Sequence, residues 1–294
     1  MQKTISNGLT IEYETFGSKD NPAIVLVAGL GFQLIDWPVA FCERLAEAGF
    51  FVLRYDNRDI GLSQKLTGKG IPDLSLIAGQ LASGETPQIP YHLEEMAADL
   101  NGLLDGLSLK SAHVVGMSMG GMIAQLMAIH YRDRVRSLTS MMSSTSDPSL
   151  PPSSAEAAAV LMSAPASEEL EAIIAYGLAV NDVIGSPGFR WDRTTLEGHI
   201  SDCVRRNYCP GGYLRQYAAV AAAPSRVSDL PSIVAPTLVI HGKADHLLSP
   251  VGGEETARLI PAARLEMVEG MGHDLSPALC DHLAGLILSH VMAH

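Results

Sequence analysis

The stretch SAHVVGMSMGGMIAQLMA, residues 111–128, passes from an apolar run through Gly-x-Ser-x-Gly into a helical pattern. The run AHVVGM (112–117) has the continuous apolar character of a strand buried on both faces. A helical pattern occupies about 120–131. Between them stands Ser118. A serine at the tip of so sharp a turn takes unfavourable backbone angles, and Gly116 and Gly120 lack the side chains that would collide there. Gly121 leaves more room for the helix against the strand. The helix start offers free N–H groups and a positive dipole end, both suited to developing negative charge. The motif alone is a weak signal. Strand before and helix after make Ser118 a candidate nucleophile.

The same rhythm extends outward. AIVLVAG (23–29), FFVLRYD (50–56) and VRSLTSMMSS (135–144) read as strands, and LTIEYETFG alternates as a half-buried strand would. Helical patterns fall at 39–48 and 92–106. From Asp147 to about Ser225 the pattern changes to helix-like pieces broken by Pro and Gly. The strand–helix rhythm returns at APTLVIHGKAD (235–245), a helix near 250–259, ARLEMVEGMGH (263–273) and a final helix over 276–292. The expected fold is α/β, with a mostly parallel central sheet flanked by helices. Residues 1–146 and 226–294 would form the core domain, and 147–225 a helical insertion late in the sheet. In such sheets ligands bind at the carboxyl ends of the strands.

Composition narrows the function. The 294 residues are 47% hydrophobic and carry a formal net charge of −12. A chain this acidic, without a Lys/Arg cluster, lacks the footprint of a nucleic-acid binder and is poorly suited to an anionic membrane. The N-terminal MQKTISNGLTIEYETFG has no apolar core of a signal peptide, and no apolar run approaches a membrane span, so a cytoplasmic protein is expected. Cys42, Cys203, Cys209 and Cys280 show no C-x-x-C spacing and are expected to be free thiols. No metal site and no cofactor site is expected.

A serine nucleophile needs a base, and the base an orienting acid. Of ten histidines, His273 follows a strand on the glycine-rich loop EGMGHDLSP. His113 lies inside the strand before Ser118 and reads as structural, while His241 and His246 flank a strand end as neighbours of the site. The chain order Ser, acid, His selects His273 as base. Asp245 follows a strand end, 28 positions before it, and is the favoured acid. Asp147 competes, and Asp274 adjoins the base itself. For the oxyanion, the backbone N–H of Met119 and that of Leu30, in the loop after AIVLVAG, are the expected donors.

Together these segments resemble the α/β-hydrolase family over essentially the whole chain. VAGLGFQLIDW looks like its oxyanion segment, with Ala28 where histidine is common. RYDNRDIGLS resembles its Asp-x-Arg-Gly-x-Gly-x-Ser segment, with Asp59 where glycine is usual. VVGMSMGG resembles its nucleophile elbow, PTLVIHGKADHLLSP its acid turn and MVEGMGHDL its histidine loop. The insertion matches the position of the family's cap. YDNRDIGLS, PSRVSDLPSIVAPTLVI and ARLIPAARLEMVEGMGH are similar to the aclacinomycin methylesterase-like branch. The resemblance implies hydrolysis of a small-molecule carboxylic ester by Ser118, His273 and Asp245 without a cofactor. Trp37, Met117, Met142 and Met271 are expected to line an apolar pocket, methionine being adaptable there. Asp56 and Arg58 are read as a structural charge pair. The oligomeric state stays open, a homodimer included.

Overall fold

Eight strands form one sheet in the computed structural model, which describes residues 1–294. Strands β1 (Gln2–Ser6) and β2 (Leu9–Phe16) make an antiparallel hairpin, and β2 pairs antiparallel with β4 (Phe51–Tyr55). From β4 the order runs through β3 (Ala23–Val27), β5 (Ala112–Met117), β6 (Val135–Met141), β7 (Thr237–Gly242) and β8 (Arg264–Val268), all parallel. Every residue of β3, β4, β5 and β7 is buried. That is why these strands read as unbroken apolar runs rather than alternations.

Helices cover both faces. On one, α1 (Val39–Glu47) and α10 (Pro277–Val291) pack together over Ile24, Leu26, Val52, Val115 and Met117. On the other, α3 (Leu93–Gly106) and α4 (Met119–His130) cover Val25, Val27, Leu53 and Val114. Between β6 and β7 the chain forms α5 (Ala155–Met162), α6 (Leu170–Ile184), α7 (Arg193–Arg206) and α8 (Pro210–Ala221), with no strand. Helix α9 (Pro250–Leu259) lies against β7 and β8. The chain goes from β3 to β4 on one side, then crosses back to β5 on the other. This reversal leaves a crevice at the carboxyl ends of β3 and β5, the place where α/β sheets bind ligands.

Two elements escape the sequence reading. Strand β1 is short, polar and at the edge, so it carries no apolar run. Its signal is the turn that follows, where Asn7 and Gly8 have φ of 48° and 78°, the conformation that favours Asn-Gly in a two-residue hairpin. Helix α2 (Leu74–Ala82) begins on Asp73, whose carboxylate accepts from the Ser75 and Leu76 amides at 3.0 Å. Only Ile77 of that helix is buried, so its periodicity is faint. None of the four cysteines is disulfide-bonded, and no helix is long and apolar enough to cross a membrane.

His113 is structural. Its Nδ1 lies 2.8 Å from Ser137 Oγ and its ring meets Phe50 edge-on. Burial, helped by the charges of Arg136, His290 and His294, pushes its pKa down to about 4. A histidine held neutral in the fold but free to protonate when unfolded makes stability fall as pH drops from 6.5 to about 4. The loss is at most about 3 kcal/mol. Denaturant midpoints for wild type and His113→Gln across that window check this, and the slope of the variant should be flatter.

Candidate active site

Ser118 follows β5 and caps α4 with φ 55° and ψ −123°, a strained conformation for a residue with a β-carbon. The surroundings hold it there. Its amide donates to the Met141 carbonyl at 2.9 Å, and its carbonyl accepts from Ser143 Oγ at 2.9 Å and the Gly121 amide at 2.9 Å. A β-carbon at Gly116 would overlap the Gly120 carbonyl, and one at Gly120 would overlap the Val27 carbonyl. The tight strand-to-helix turn therefore requires both glycines.

His273 follows β8 and brings Nε2 to 2.9 Å from Ser118 Oγ, while its Nδ1 lies 2.7 Å from Asp245 Oδ2. Asp245 is buried at the end of β7. Its Oδ1 accepts from the Leu247 and Leu248 amides, each at 2.9 Å. Burial opposes its ionisation, but His273 and His241 outweigh this and hold it well below the usual carboxylate range. An ionised Asp245 can only accept, so His273 Nδ1 carries the proton and Nε2 is left as acceptor for the Ser118 hydroxyl. His241 Nε2 lies 3.3 Å from the same Oδ2 and 3.0 Å from the Leu248 carbonyl. Facing two acceptors, it donates.

The competing acids lie elsewhere. Asp147 sits in an exposed turn, accepting from the Ser149 amide at 2.8 Å. Asp274 turns away from His273 and binds the end of α6. It accepts from Asn181 Nδ2 at 2.9 Å and the Ser186 amide at 3.0 Å. The same turn fastens the histidine loop through its backbone, with His273 N donating to the Ile184 carbonyl at 2.7 Å and Gly188 N to the Gly270 carbonyl at 2.8 Å. The inserted helices thus hold the loop that carries the imidazole.

They also hold the loop after β3. Gly29 lies against Ser118, so that a β-carbon there would come 3.8 Å from Ser118 Oγ. The next amide, Leu30 N–H, has no acceptor within the protein. The following amide, of Gly31, donates to Gln216 Oε1 at 2.9 Å, and Gln216 Nε2 donates to the Arg58 carbonyl at 2.8 Å. Tyr213 packs its ring on Gly31. Met119 N–H opens α4 and has no earlier turn of that helix to donate to. The Leu30 and Met119 amides are thus both without protein acceptors beside Ser118.

Trp37 fills the core beside α1, fully buried and tilted on Phe41 with centroids 5.4 Å apart. Met117, Met142 and Met271 are at most 2% exposed and belong to the same apolar cluster. All four pack with residues of α1 and α10. Asp56 and Arg58 do not pair with each other. Asp56 accepts from the Leu34 and Leu62 amides at 2.7 Å and meets Arg206 of α7 at 2.8 Å. Arg58 instead grips Asp99 of α3 at 2.6 and 2.7 Å.

Asp59, the departure from glycine, has φ 71° and makes a two-pronged contact with Arg215 of α8 at 2.7 and 2.9 Å. Both side chains are at most 1% exposed. Removing one partner strands a buried charge, so Arg215→Met should lower unfolding stability by about 3–5 kcal/mol in denaturant titrations. Asp59→Gly combined with Arg215→Met should recover most of that loss, because glycine tolerates the left-handed φ and no charge is left unpaired.

The model of a family described as alpha/beta hydrolase fold matches residues 22–178. The chain is 29% identical to rhodomycin D methylesterase DnrP of Streptomyces peucetius, covering 97% of this chain and 96% of that one. It is 27% identical to 3-oxoadipate enol-lactonase 2 of Acinetobacter baylyi over 89% of this chain and 85% of the other. Among solved structures, the enol-lactonase from Burkholderia xenovorans LB400 superposes with a TM-score of 0.75 at 24% identity, covering 99% of this chain and all of that one. Fold, turn geometry and matched segments agree, and the chain belongs to the α/β-hydrolase fold family.

Proposed function

We infer that this protein is a serine-dependent carboxylic ester hydrolase acting on a small or medium apolar ester through an acyl-enzyme. The observation that carries this is the line from Asp245 through His273 to Ser118, with steps of 2.7 and 2.9 Å. His273 Nε2 takes the Ser118 proton as Oγ attacks the ester carbonyl. The Leu30 and Met119 amides stabilise the oxyanion. His273 then gives its proton to the leaving alcohol, and water, activated by the same imidazole, hydrolyses the acyl-enzyme. Asp245 keeps the imidazole in the required tautomer and stabilises its charged form. No step needs a metal or organic cofactor. The four helices of 147–225 act as a cap, and Gln216 and Tyr213 from it fix the loop of Leu30.

Similarity to a methylesterase along almost the full chain favours an ester. Similarity to an enol-lactonase supports a cyclic ester as the second reading. Hydrolysis of p-nitrophenyl esters from acetate to decanoate, beside a series of γ-lactones, separates the two. Sustained turnover of the esters is the expected result. Turnover of lactones alone would favour the second reading. Release of about one equivalent of p-nitrophenol followed by a lasting adduct would reject a hydrolase.

A further inference from the structure

Helix α7 presents His199 and Cys203 four residues apart, on one face. Opposite them, from the loop after β3, stands Asp36. His199 Nε2 lies 2.8 Å from Asp36 Oδ1, and Cys203 Sγ lies 3.7 Å from His199 Nε2 and 3.9 Å from Asp36 Oδ1. We propose that these three side chains form a zinc(II) site that clamps α7 to the loop after β3.

The spacing suits the ion. Bonds of about 2.3 Å to sulfur and about 2.0–2.1 Å to nitrogen or oxygen, at tetrahedral angles, put ligand atoms roughly 3.3–3.6 Å apart. Each of the three separations differs from that by roughly half an ångström or less, within reach of small side-chain rotations. The donor set also fits. One thiolate, one imidazole and one carboxylate suit a borderline-soft ion, with a fourth position left for water. The His199 and Asp36 side chains keep 25% and 13% exposure, enough for an ion and its water to enter.

The ligands are oriented in advance. Asp36 Oδ2 is occupied by the Gln33 amide at 2.7 Å, which directs Oδ1 toward the trio. The Cys203 carbonyl accepts from Gln33 Nε2 at 2.7 Å, joining the two segments beside the site. The Trp191 ring stacks on His199 at 5.6 Å. Such outer support is what a metal site needs to hold its geometry. On binding, metal–sulfur, metal–nitrogen and metal–oxygen bonds form. The Cys203 thiol proton and the His199 Nε2 proton leave to solvent.

The test is a cobalt(II) titration of untagged full-length protein, with zinc(II) as competitor. Wild type should bind one cobalt per chain with a thiolate-to-cobalt charge-transfer absorption, and zinc should displace it and raise Tm. Cys203→Ser should abolish that absorption. His199→Gln should weaken binding by more than the roughly 10–100-fold that loss of an outer-shell partner costs. Cys209→Ser, which changes the other half-buried thiol, should leave binding unchanged. Absence of saturable binding or of the thiolate absorption in folded wild type overturns the site, whatever the variants do. So does an absorption that survives Cys203→Ser or disappears in Cys209→Ser.

Discussion

On the proposed mechanism, Ser118→Ala should lower ester turnover by roughly a millionfold, the scale on which loss of the serine acts in another triad hydrolase. Without Oγ there is no acyl-enzyme, and His273 has no hydroxyl to deprotonate. What survives, on the order of a thousandfold over water, comes from oxyanion stabilisation and binding. The fold should be spared. Ser118 Oγ bonds only to His273, and the side chain is partly exposed, so Tm should move little. Steady-state hydrolysis of a p-nitrophenyl ester by the purified variant, beside its melting curve, reads both quantities. Near-wild-type turnover would reject Ser118 as the nucleophile.

Asp245→Asn is the second large effect, a loss of about 10⁴ in kcat. The Leu247 and Leu248 amides hold one side-chain oxygen, so the new NH₂ group would face His273 and His241. His273 Nδ1 then becomes an acceptor and Nε2 carries the proton. An Nε2–H aimed at Ser118 cannot take its proton. KM should change much less than kcat, since Asp245 lies behind the imidazole, away from any substrate. The variants Asp147→Asn and Asp274→Asn separate this from a general charge effect. Asp147→Asn should be silent, because its carboxylate touches only its own turn. Asp274→Asn should act through stability and the seating of the histidine loop, with a loss far smaller than that of Asp245→Asn.

How much of this was legible in the chain depends on where the physics is local. The parallel strands announce themselves because burial on both faces demands continuous apolar runs. The turn at Ser118 announces itself because its geometry excludes side chains at Gly116 and Gly120. Strand ends and the chain order Ser, acid, His pointed to Asp245 and His273, with Asp147 left as a competitor, and the structure brings Asp245 and His273 into line with Ser118. Contacts made by the inserted helices were not legible. Gln216 and Arg215 are ordinary helix residues in sequence, and nothing local says that one grips the Gly31 amide and the other Asp59. Arg58 sits two residues from Asp56, yet its partner is Asp99, 41 positions away. Trp37 and the three methionines show how nearness in sequence differs from packing. Proximity to a motif in sequence suggested a pocket, whereas packing put them in the core.

The most direct test of the central claim is covalent labelling with a fluorophosphonate, read by peptide mapping. A single adduct on Ser118, formed in step with loss of esterase activity and slowed about a hundredfold or more in His273→Ala, is the expected result. Stoichiometric labelling of another residue at the rate at which activity disappears would contradict it.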